Sequence, residues 1–210
     1  MKIHFITGAT GVVGSSLIPV LLKQSDLRLK LLIRARSAAE LAERLERLYS
    51  FWGVRLDDVG IRSRIEAVAG DTTLPEFGLD KDKYLALTAA CTHVIHAAGL
   101  VRMNLPLEKA RHSAVGSMRN VVALARACPA LQKVDVVSTV GVGGRLQHAI
   151  PERWLTEPRA FHNTYEQAKA EAEDFLREQL EQAPLPLTVH RPSMVVGDSR
   201  DGRIISFQVF

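Results

Sequence analysis

The strongest constraint on this chain is a glycine-rich segment near its start. Residues 5–14 read FITGATGVVG, so a short apolar strand leads into a glycine turn and then a helix. Glycine has no Cβ, so the backbone of such a turn can approach a charged group closely. The helix start offers unpaired N–H groups and a positive dipole end, which suit an anion such as pyrophosphate. This order predicts a dinucleotide site made by Gly8, Thr10, Gly11, Val12, Val13 and Gly14.

Short apolar stretches alternate with amphipathic ones along the rest of the chain. Strands are predicted at residues 2–7, 29–33, 64–69, 92–96, 133–137 and 187–191. Helices are predicted at residues 12–23, 37–51, 81–90, 108–128 and 164–182, and a long loop at residues 141–163. Ser37 and Glu40 are expected to form a capping box. Such alternation predicts an α/β fold, a doubly wound, Rossmann-like parallel sheet over residues 1–210 with helices on both faces. Ligands of these sheets bind at the carboxyl ends of the strands.

Composition argues against several classes of function. The net charge is +4, but the 27 Lys and Arg residues are dispersed, so nucleic-acid binding is not expected. No apolar run approaches the roughly 18 residues of a membrane span, and the chain opens on a strand rather than a leader. Cys91 and Cys128 lack metal-ligand spacing, so they are predicted to be reduced core residues, and no metal site is expected. These features favour a cytoplasmic location.

Residues after the second, third and fourth strands indicate which cofactor binds. NAD-binding folds usually place an acidic residue about 20 residues beyond the glycines to hold a ribose hydroxyl. Arg34 stands there instead, and its guanidinium can pair with the 2′-phosphate of NADP(H). Arg44 could reach the same phosphate or face solvent. The other predicted cofactor contacts, which could also be turn or packing residues, are Asp71, Thr72, Ala97, Ala98 and Gly99.

Tyr165 and Lys169 carry the expected chemistry. A spacing of four on a helix puts both side chains on one face, about 6 Å apart at Cβ. An ammonium beside a phenol lowers its pKa, which helps the phenol to exchange a proton with a carbonyl or alcohol oxygen. Ser138 and Thr139 end the fifth strand, where a hydroxyl can bind the same oxygen. The stretch His190-Arg191-Pro192-Ser193 ends the sixth strand and could hold the nicotinamide carboxamide through backbone groups.

The motifs TGATGVVG, HAAG, STVGVGG, YEQAK and HRPSMVVGDSRDG together resemble those of an extended short-chain dehydrogenase/reductase. The segments LLIRAR and AGDTTLPEFGL narrow the resemblance to the thioester-reductase branch, which includes terminal reductase domains of peptide synthetases and fatty acyl-CoA reductases. The resemblance spans essentially the whole chain. It implies NADPH-dependent reduction of an acyl thioester, bound to CoA or an acyl carrier, to an aldehyde or alcohol. It also implies that Thr139, Tyr165 and Lys169 are catalytic, and that Ser138, Tyr165 and Lys169 contact the cofactor.

Two features depart from that family's pattern. Relatives usually continue into a long C-terminal region over the substrate. A substrate domain is therefore expected to be largely absent, with that region or a second copy covering the apolar end at residues 202–210. Relatives also often carry Asn-x-x-Gly-Thr where this chain has Ser113-Ala-Val-Gly-Ser117.

Two other interpretations stay open at this stage. One is a ketone or alcohol reductase, or a sugar-nucleotide epimerase or dehydratase, of the same superfamily. Arg34 argues against the epimerase, because such enzymes more often use NAD and carry an acid after the second strand. The other is an NADP(H)-binding sensor without turnover, although such proteins commonly lose the Tyr or the Lys.

Overall fold

Six short strands form one parallel sheet in the computed structural model, which describes residues 1–206. The strands are β1 (Lys2–Thr7), β2 (Leu27–Ile33), β3 (Ile65–Ala69), β4 (His93–His96), β5 (Lys133–Val137) and β6 (Leu187–His190). Their spatial order is β3-β2-β1-β4-β5-β6, and all neighbours run parallel. The predicted doubly wound sheet is thus confirmed, and every strand was predicted to within two residues at each end. The expectation about the apolar end falls partly on residues 207–210, which lie outside the described residues.

The helices also follow the prediction, with two differences. They are α1 (Val12–Leu21), α2 (Ala38–Trp52), α3 (Val59–Arg62), α4 (Lys81–Ala90), α5 (Leu107–Arg111), α6 (Ser117–Ala127) and α7 (Thr164–Gln182). The four-residue α3 was not predicted. The single helix expected at residues 108–128 is α5 and α6, joined by a π-helical turn at His112–Gly116.

The capping box of α2 forms with one change of partner. Ser37 Oγ accepts from the backbone N–H of Glu40 at 3.1 Å, as expected for an N-cap. The Glu40 carboxylate accepts from the backbone N–H of Arg36 at 2.8 Å instead of from that of Ser37. The carboxylate thus lies at the carboxyl end of β2, beside the predicted phosphate site.

Both faces of the sheet are covered because strand residues alternate between them. On one face Phe5, Val94 and Val136 belong to a buried cluster with residues of α4, α6 and α7. On the other face Ile6 and Leu31 belong to a second cluster with residues of α1 and α2. Cys91 and Cys128 are buried and unpaired, which agrees with their prediction as reduced core residues. Among residues 1–206, none of the helices combines the length and the apolar character needed to cross a membrane.

The predicted loop at residues 141–163 is folded back onto α7. It opens with a 3₁₀ turn at Val140–Gly143, and Val142 and Leu155 pack on Ala170 in a small separate core. The guanidinium of Arg159 donates from Nε to the carbonyl of Val142 at 2.6 Å. These contacts hold the segment that follows β5 against the helix that carries Tyr165.

Candidate active site

The glycine turn after β1 is shaped by packing at two of its three glycines. Gly8 has φ +77°, and a Cβ there would lie 2.4 Å from the carbonyl carbon of Ala97. A Cβ on Gly14 would lie 2.2 Å from the carbonyl oxygen of Gly8. Gly11 is the N-cap of α1, and among residues 1–206 no side chain caps this helix start. The first N–H groups of α1 are therefore not used by a side chain, and this arrangement fits a pyrophosphate.

The end of β4 is tied to the end of β1 by a buried polar pair. Thr7 Oγ1 lies 2.8 Å from Nδ1 of His96, and the backbone N–H of Ala97 donates to the carbonyl of Thr7 at 3.1 Å. Burial, and to a smaller extent the charge of Lys169, lowers the pKa of His96 to about 3. His96 is therefore a neutral ring at physiological pH, placed beside the predicted site.

A small pocket brings together groups that are far apart in the sequence. Its volume is about 10 Å³, which is on the order of the space needed for one water molecule. Its lining residues are His96, Ala98, Gly99, Leu100, Ala110, Ser113, Ala114, Tyr165, Ala168 and Lys169. The structure thus joins the predicted residues after β4 to the Tyr165–Lys169 pair. The two serines of Ser113-Ala-Val-Gly-Ser117, the motif that differs from the family pattern, lie in different places. Ser113 lines the pocket, while Ser117 Oγ donates to Thr72 Oγ1 at 2.9 Å.

Lys169 is almost fully buried and is directed at the backbone. The residue is 7% exposed, and its Nζ donates to the carbonyl of Val137 at 2.8 Å. Burial lowers the pKa of Lys169 to about 8, and the charge of Glu173 opposes that shift. Near neutral pH the amine is thus still mostly protonated.

The pKa of Tyr165 differs from the expectation. Burial raises the pKa of Tyr165, and the neighbouring charge of Glu166 adds to the rise. The expected lowering by Lys169 is therefore wrong for this structure, in which burial raises the pKa and the Lys169 ammonium bonds to the Val137 carbonyl. At neutral pH Tyr165 is a phenol, which is the proton-donating form.

Ser138 and Thr139 face different surroundings although they are adjacent. Ser138 is 5% exposed, and its Oγ donates to Glu173 Oε1 at 2.5 Å. The idea that this hydroxyl meets the cofactor or substrate oxygen is corrected, because strand alternation turns the side chain into the interior. Thr139 is partly exposed, and its Oγ1 accepts from the backbone N–H of Gly141 at 3.1 Å. Thr139 is thus the hydroxyl of this pair that lies at the surface of the sheet edge.

The residues after β6 lie beside the same edge. The carbonyl of Pro192 accepts from the backbone N–H of Val140 at 3.1 Å, and Ser193 is exposed. Pro192 and Val140 also line a broad groove of about 1170 Å³ along β5 and β6. The expectation that a further region or a second copy covers the apolar end at residues 202–210 stays a prediction.

The predicted phosphate site contains two arginines with different partners. Arg34 is exposed directly after β2, and none of the ion pairs within residues 1–206 includes it. Arg44 donates from Nη2 and Nε to Glu40 Oε1 at 2.7 and 3.1 Å. The backbone bond from Arg36, followed by Arg44, lowers the pKa of Glu40, which stays ionised. Arg34 therefore presents the less compensated charge.

Asp71 and Thr72 both take part in a tight turn after β3. Asp71 Oδ1 accepts from the backbone N–H and the hydroxyl of Thr73, each at 2.8 Å. The Asp71 N–H donates at 2.9 Å to the carbonyl of Phe77, a fully buried residue held at φ +60°. The carbonyl of Thr72 accepts from Asn120 Nδ2 at 2.8 Å. Asp71 thus acts as a turn residue, which was one of its two predicted roles. Within residues 1–206 only one of its two carboxylate oxygens accepts a hydrogen bond.

Sequence reasoning missed the side-chain contacts of several residues around this site. Glu173, Arg191 and His96 lie within or directly behind it, and Phe77 supports the turn after β3. Glu173 repeats the four-residue spacing of Tyr165 and Lys169, a signal that the printed sequence contains.

Similarity to known proteins agrees with this geometry. Residues 6–210 match the family of NAD-binding domains described as male sterility protein. The chain is 32% identical over 203 residues to an isonitrile lipopeptide synthase of Streptomyces coeruleorubidus, covering 95% of this chain and 13% of the synthase.

Two solved reductase domains have the same architecture. One is the terminal R domain from the myxalamid PKS-NRPS biosynthetic pathway, with a TM-score of 0.80 and 29% identity. The other is the reductase domain of a non-ribosomal peptide synthetase from Mycobacterium tuberculosis, with a TM-score of 0.74 and 26% identity. Each match covers 95% of this chain and 50% of the solved one, so the chain spans about half the length of these domains. The chain belongs to the male sterility protein family of NAD(P)-binding domains and has the fold of the extended short-chain dehydrogenases/reductases.

Proposed function

We propose that this chain is the cofactor-binding and proton-donating part of an NADPH-dependent reductase that acts on an acyl thioester. The observation that carries the proposal is the pocket in which Tyr165 and Lys169 meet Ala98 and Gly99 at the carboxyl edge of the sheet. Similarity to synthases and their reductase domains favours a thioester on an acyl carrier over one on CoA. The product is an aldehyde, or an alcohol after a second reduction.

The residues that would hold the cofactor follow the strand ends. The turn from Gly8 to Gly14 and the start of α1 would bind the pyrophosphate, because no side chain of the described residues caps this helix start. Arg34 would bind the 2′-phosphate, with Arg44 at its side. Asp71 would accept from the adenine amino group. Ala97, Ala98 and Gly99 would leave room for the ribose and phosphates.

The chain's own groups supply the acid–base part of the reaction. When bound, NADPH supplies a hydride for the carbonyl carbon of the thioester. Thr139 binds the carbonyl oxygen, and Tyr165 donates a proton to it as the C–H bond forms. The resulting hemithioacetal breaks its C–S bond, and the hydroxyl proton passes to the sulfur as the aldehyde forms. Lys169, held by Val137, would bind the ribose and stabilise the negative charge that develops on Tyr165 as its proton leaves.

The first test measures NADPH oxidation with an acyl-phosphopantetheine thioester and with acyl-CoA. Tyr165→Phe removes the proton donor and keeps the ring, so turnover is expected to fall by about 10²- to 10⁴-fold. NADPH binding should remain. Tyr84→Phe is the matched control, because Tyr84 packs against the core on α4 away from the pocket.

Each outcome of that test discriminates between interpretations. Turnover that survives in Tyr165→Phe contradicts the assigned role of the phenol. Binding of NADPH without turnover in the wild type, on either thioester, supports the sensor interpretation. A ketone is offered as a third substrate, and turnover on it but on neither thioester supports another reaction of the same superfamily.

A further inference from the structure

A buried ion pair lies directly behind Lys169 and has no part in the proposed reaction. Glu173 lies one helical turn beyond Lys169 on α7, and Arg191 follows β6. Arg191 donates from Nη2 to Glu173 Oε2 at 2.6 Å and from Nε to both carboxylate oxygens at 3.1 Å. The two side chains are only 6% and 14% exposed. A forked pair in this environment is held in one geometry.

The Glu173–Arg191 pair joins four segments of the fold. Ser138 Oγ donates to Glu173 Oε1 at 2.5 Å, which ties the end of β5 to α7. Arg191 Nη1 donates to the carbonyl of Pro151 at 3.0 Å, which brings in the loop after β5. Val137, whose carbonyl accepts from Lys169, directly precedes Ser138. The bond that orients the Lys169 ammonium therefore depends on a strand end that Glu173 holds.

The charged and titratable groups around Lys169 point to a specific electrostatic role as well. From β4 comes His96, which burial keeps neutral by lowering its pKa to about 3. From α7 itself come Tyr165, a phenol, and Glu173, whose negative charge raises the pKa of Lys169 against the effect of burial. β5 presents the Val137 carbonyl, and beyond β6 Arg191 is bonded to Glu173. Glu173 is thus the anion that favours the charged form of this buried amine.

We propose that Glu173 is a positioning residue for Lys169, fixing both the place and the positive charge of the ammonium in the site. Its partners Arg191 and Ser138 hold the carboxylate in place. The role in turnover rests on the proposed function, whereas the effect on Lys169 itself does not. Removing the negative charge makes the ammonium less favourable, so Lys169 should lose its proton at a lower pH.

The test follows the titration of Lys169 directly, by ¹⁵N NMR of protein labelled at its lysine side chains. The Lys169 signal is assigned by its loss in Lys169→Arg. The wild-type midpoint is expected near pH 8, and Glu173→Gln should lower it by roughly one pH unit. Glu171→Gln is the matched control. Glu171 lies on the same helix and forms an equally close pair with Arg111, at 2.7 and 2.8 Å, but does not contribute to the charge balance of Lys169.

A midpoint that stays at the wild-type value in Glu173→Gln, or that moves equally in Glu171→Gln, overturns the proposal. If Glu173→Gln alone fails to fold, Glu173→Gln combined with Arg191→Met removes both charges of the pair, and such replacements are often tolerated. The same lowered midpoint is expected there. If the enzyme turns over, the alkaline fall of kcat/KM should move with the midpoint. A moved midpoint in a protein without turnover contradicts the proposed function while supporting the role of Glu173.

Discussion

Arg34 and Arg44 both lie near the end of β2, but they differ in whether an acidic side chain offsets their positive charge. Arg44 is bonded to Glu40, whereas Arg34 has no ion-pair partner within residues 1–206. A charge-assisted bond to a phosphate contributes about 1.5–3 kcal/mol. Arg34→Ala is therefore expected to weaken NADPH binding by about 10- to 100-fold and to leave NADH binding nearly unchanged. Fluorescence titration of the two reduced cofactors measures both.

Arg44→Ala provides the comparison for that measurement. Its effect on NADPH should be smaller than that of Arg34→Ala, because Glu40 already offsets its charge. An equal loss for NADPH and NADH in Arg34→Ala would show that Arg34 does not distinguish the 2′-phosphate.

At the scale of the element, the glycine turn and α1 form one packed unit. Gly14→Ala would place a methyl 2.2 Å from the Gly8 carbonyl oxygen, which is backbone and cannot rotate away. We expect this variant to lose about 2 kcal/mol or more of unfolding free energy, because the start of α1 must move off the turn. Urea denaturation monitored by circular dichroism measures the loss, and NADPH binding should fall with it.

Gly60 in α3 is the matched position for that experiment. A Cβ there meets nothing within 4 Å, and its φ is not positive. Gly60→Ala is expected to raise the unfolding free energy by up to about 1 kcal/mol, because alanine favours the helix over glycine. If Gly14→Ala proved as stable as Gly60→Ala, close packing would not be the reason for glycine at position 14.

At the scale of the whole molecule, buried histidines make stability depend on pH. Burial lowers the pKa of His4 to about 4 and the pKa of His96 to about 3, against 6.5 for an ordinary histidine. At a pH between the ordinary value and the lowered ones, the unfolded chain binds protons on these histidines that the folded chain does not. The free energy of unfolding therefore decreases as the pH falls below 6.5. Urea midpoints measured from pH 7 to pH 4 should decline across this range.

A substitution of His4 separates this effect from the titration of carboxylates. His4 stacks on His93 at 4.2 Å between ring centroids, and its Nδ1 has no partner among residues 1–206. His4→Phe keeps a stacking ring and should make the decline above pH 4 shallower. His148→Phe should not make the decline shallower. Hydrogen bonds raise the pKa of the exposed His148, so its protonation favours the folded state as the pH falls. A decline as steep in His4→Phe as in the wild type would contradict the assignment to His4.

The amino-acid sequence by itself determined the order of the elements and the edge at which the site lies. Strand and helix periods, the Ser37 cap and the glycine turn arise from local backbone geometry, which neighbouring residues specify. Parallel strands then bring all their carboxyl ends to one edge, so residues from Gly8 to Ser193 could be placed there without a structure. The π turn at His112–Gly116 was missed, because no local pattern of residues marks the i→i+5 hydrogen bonds of such a turn.

Only the tertiary structure decided what individual polar groups do. The alternation of β5 could have shown that Ser138 points inward, but not that Glu173 and Arg191 meet it there. Burial decided that Lys169 loses part of its affinity for a proton and that the pKa of Tyr165 rises instead of falling. Desolvation depends on every segment that excludes water from a group, and those segments are distant along the chain. The sequence therefore determined where the chemistry lies, and the packing around that place determined the protonation states with which it begins.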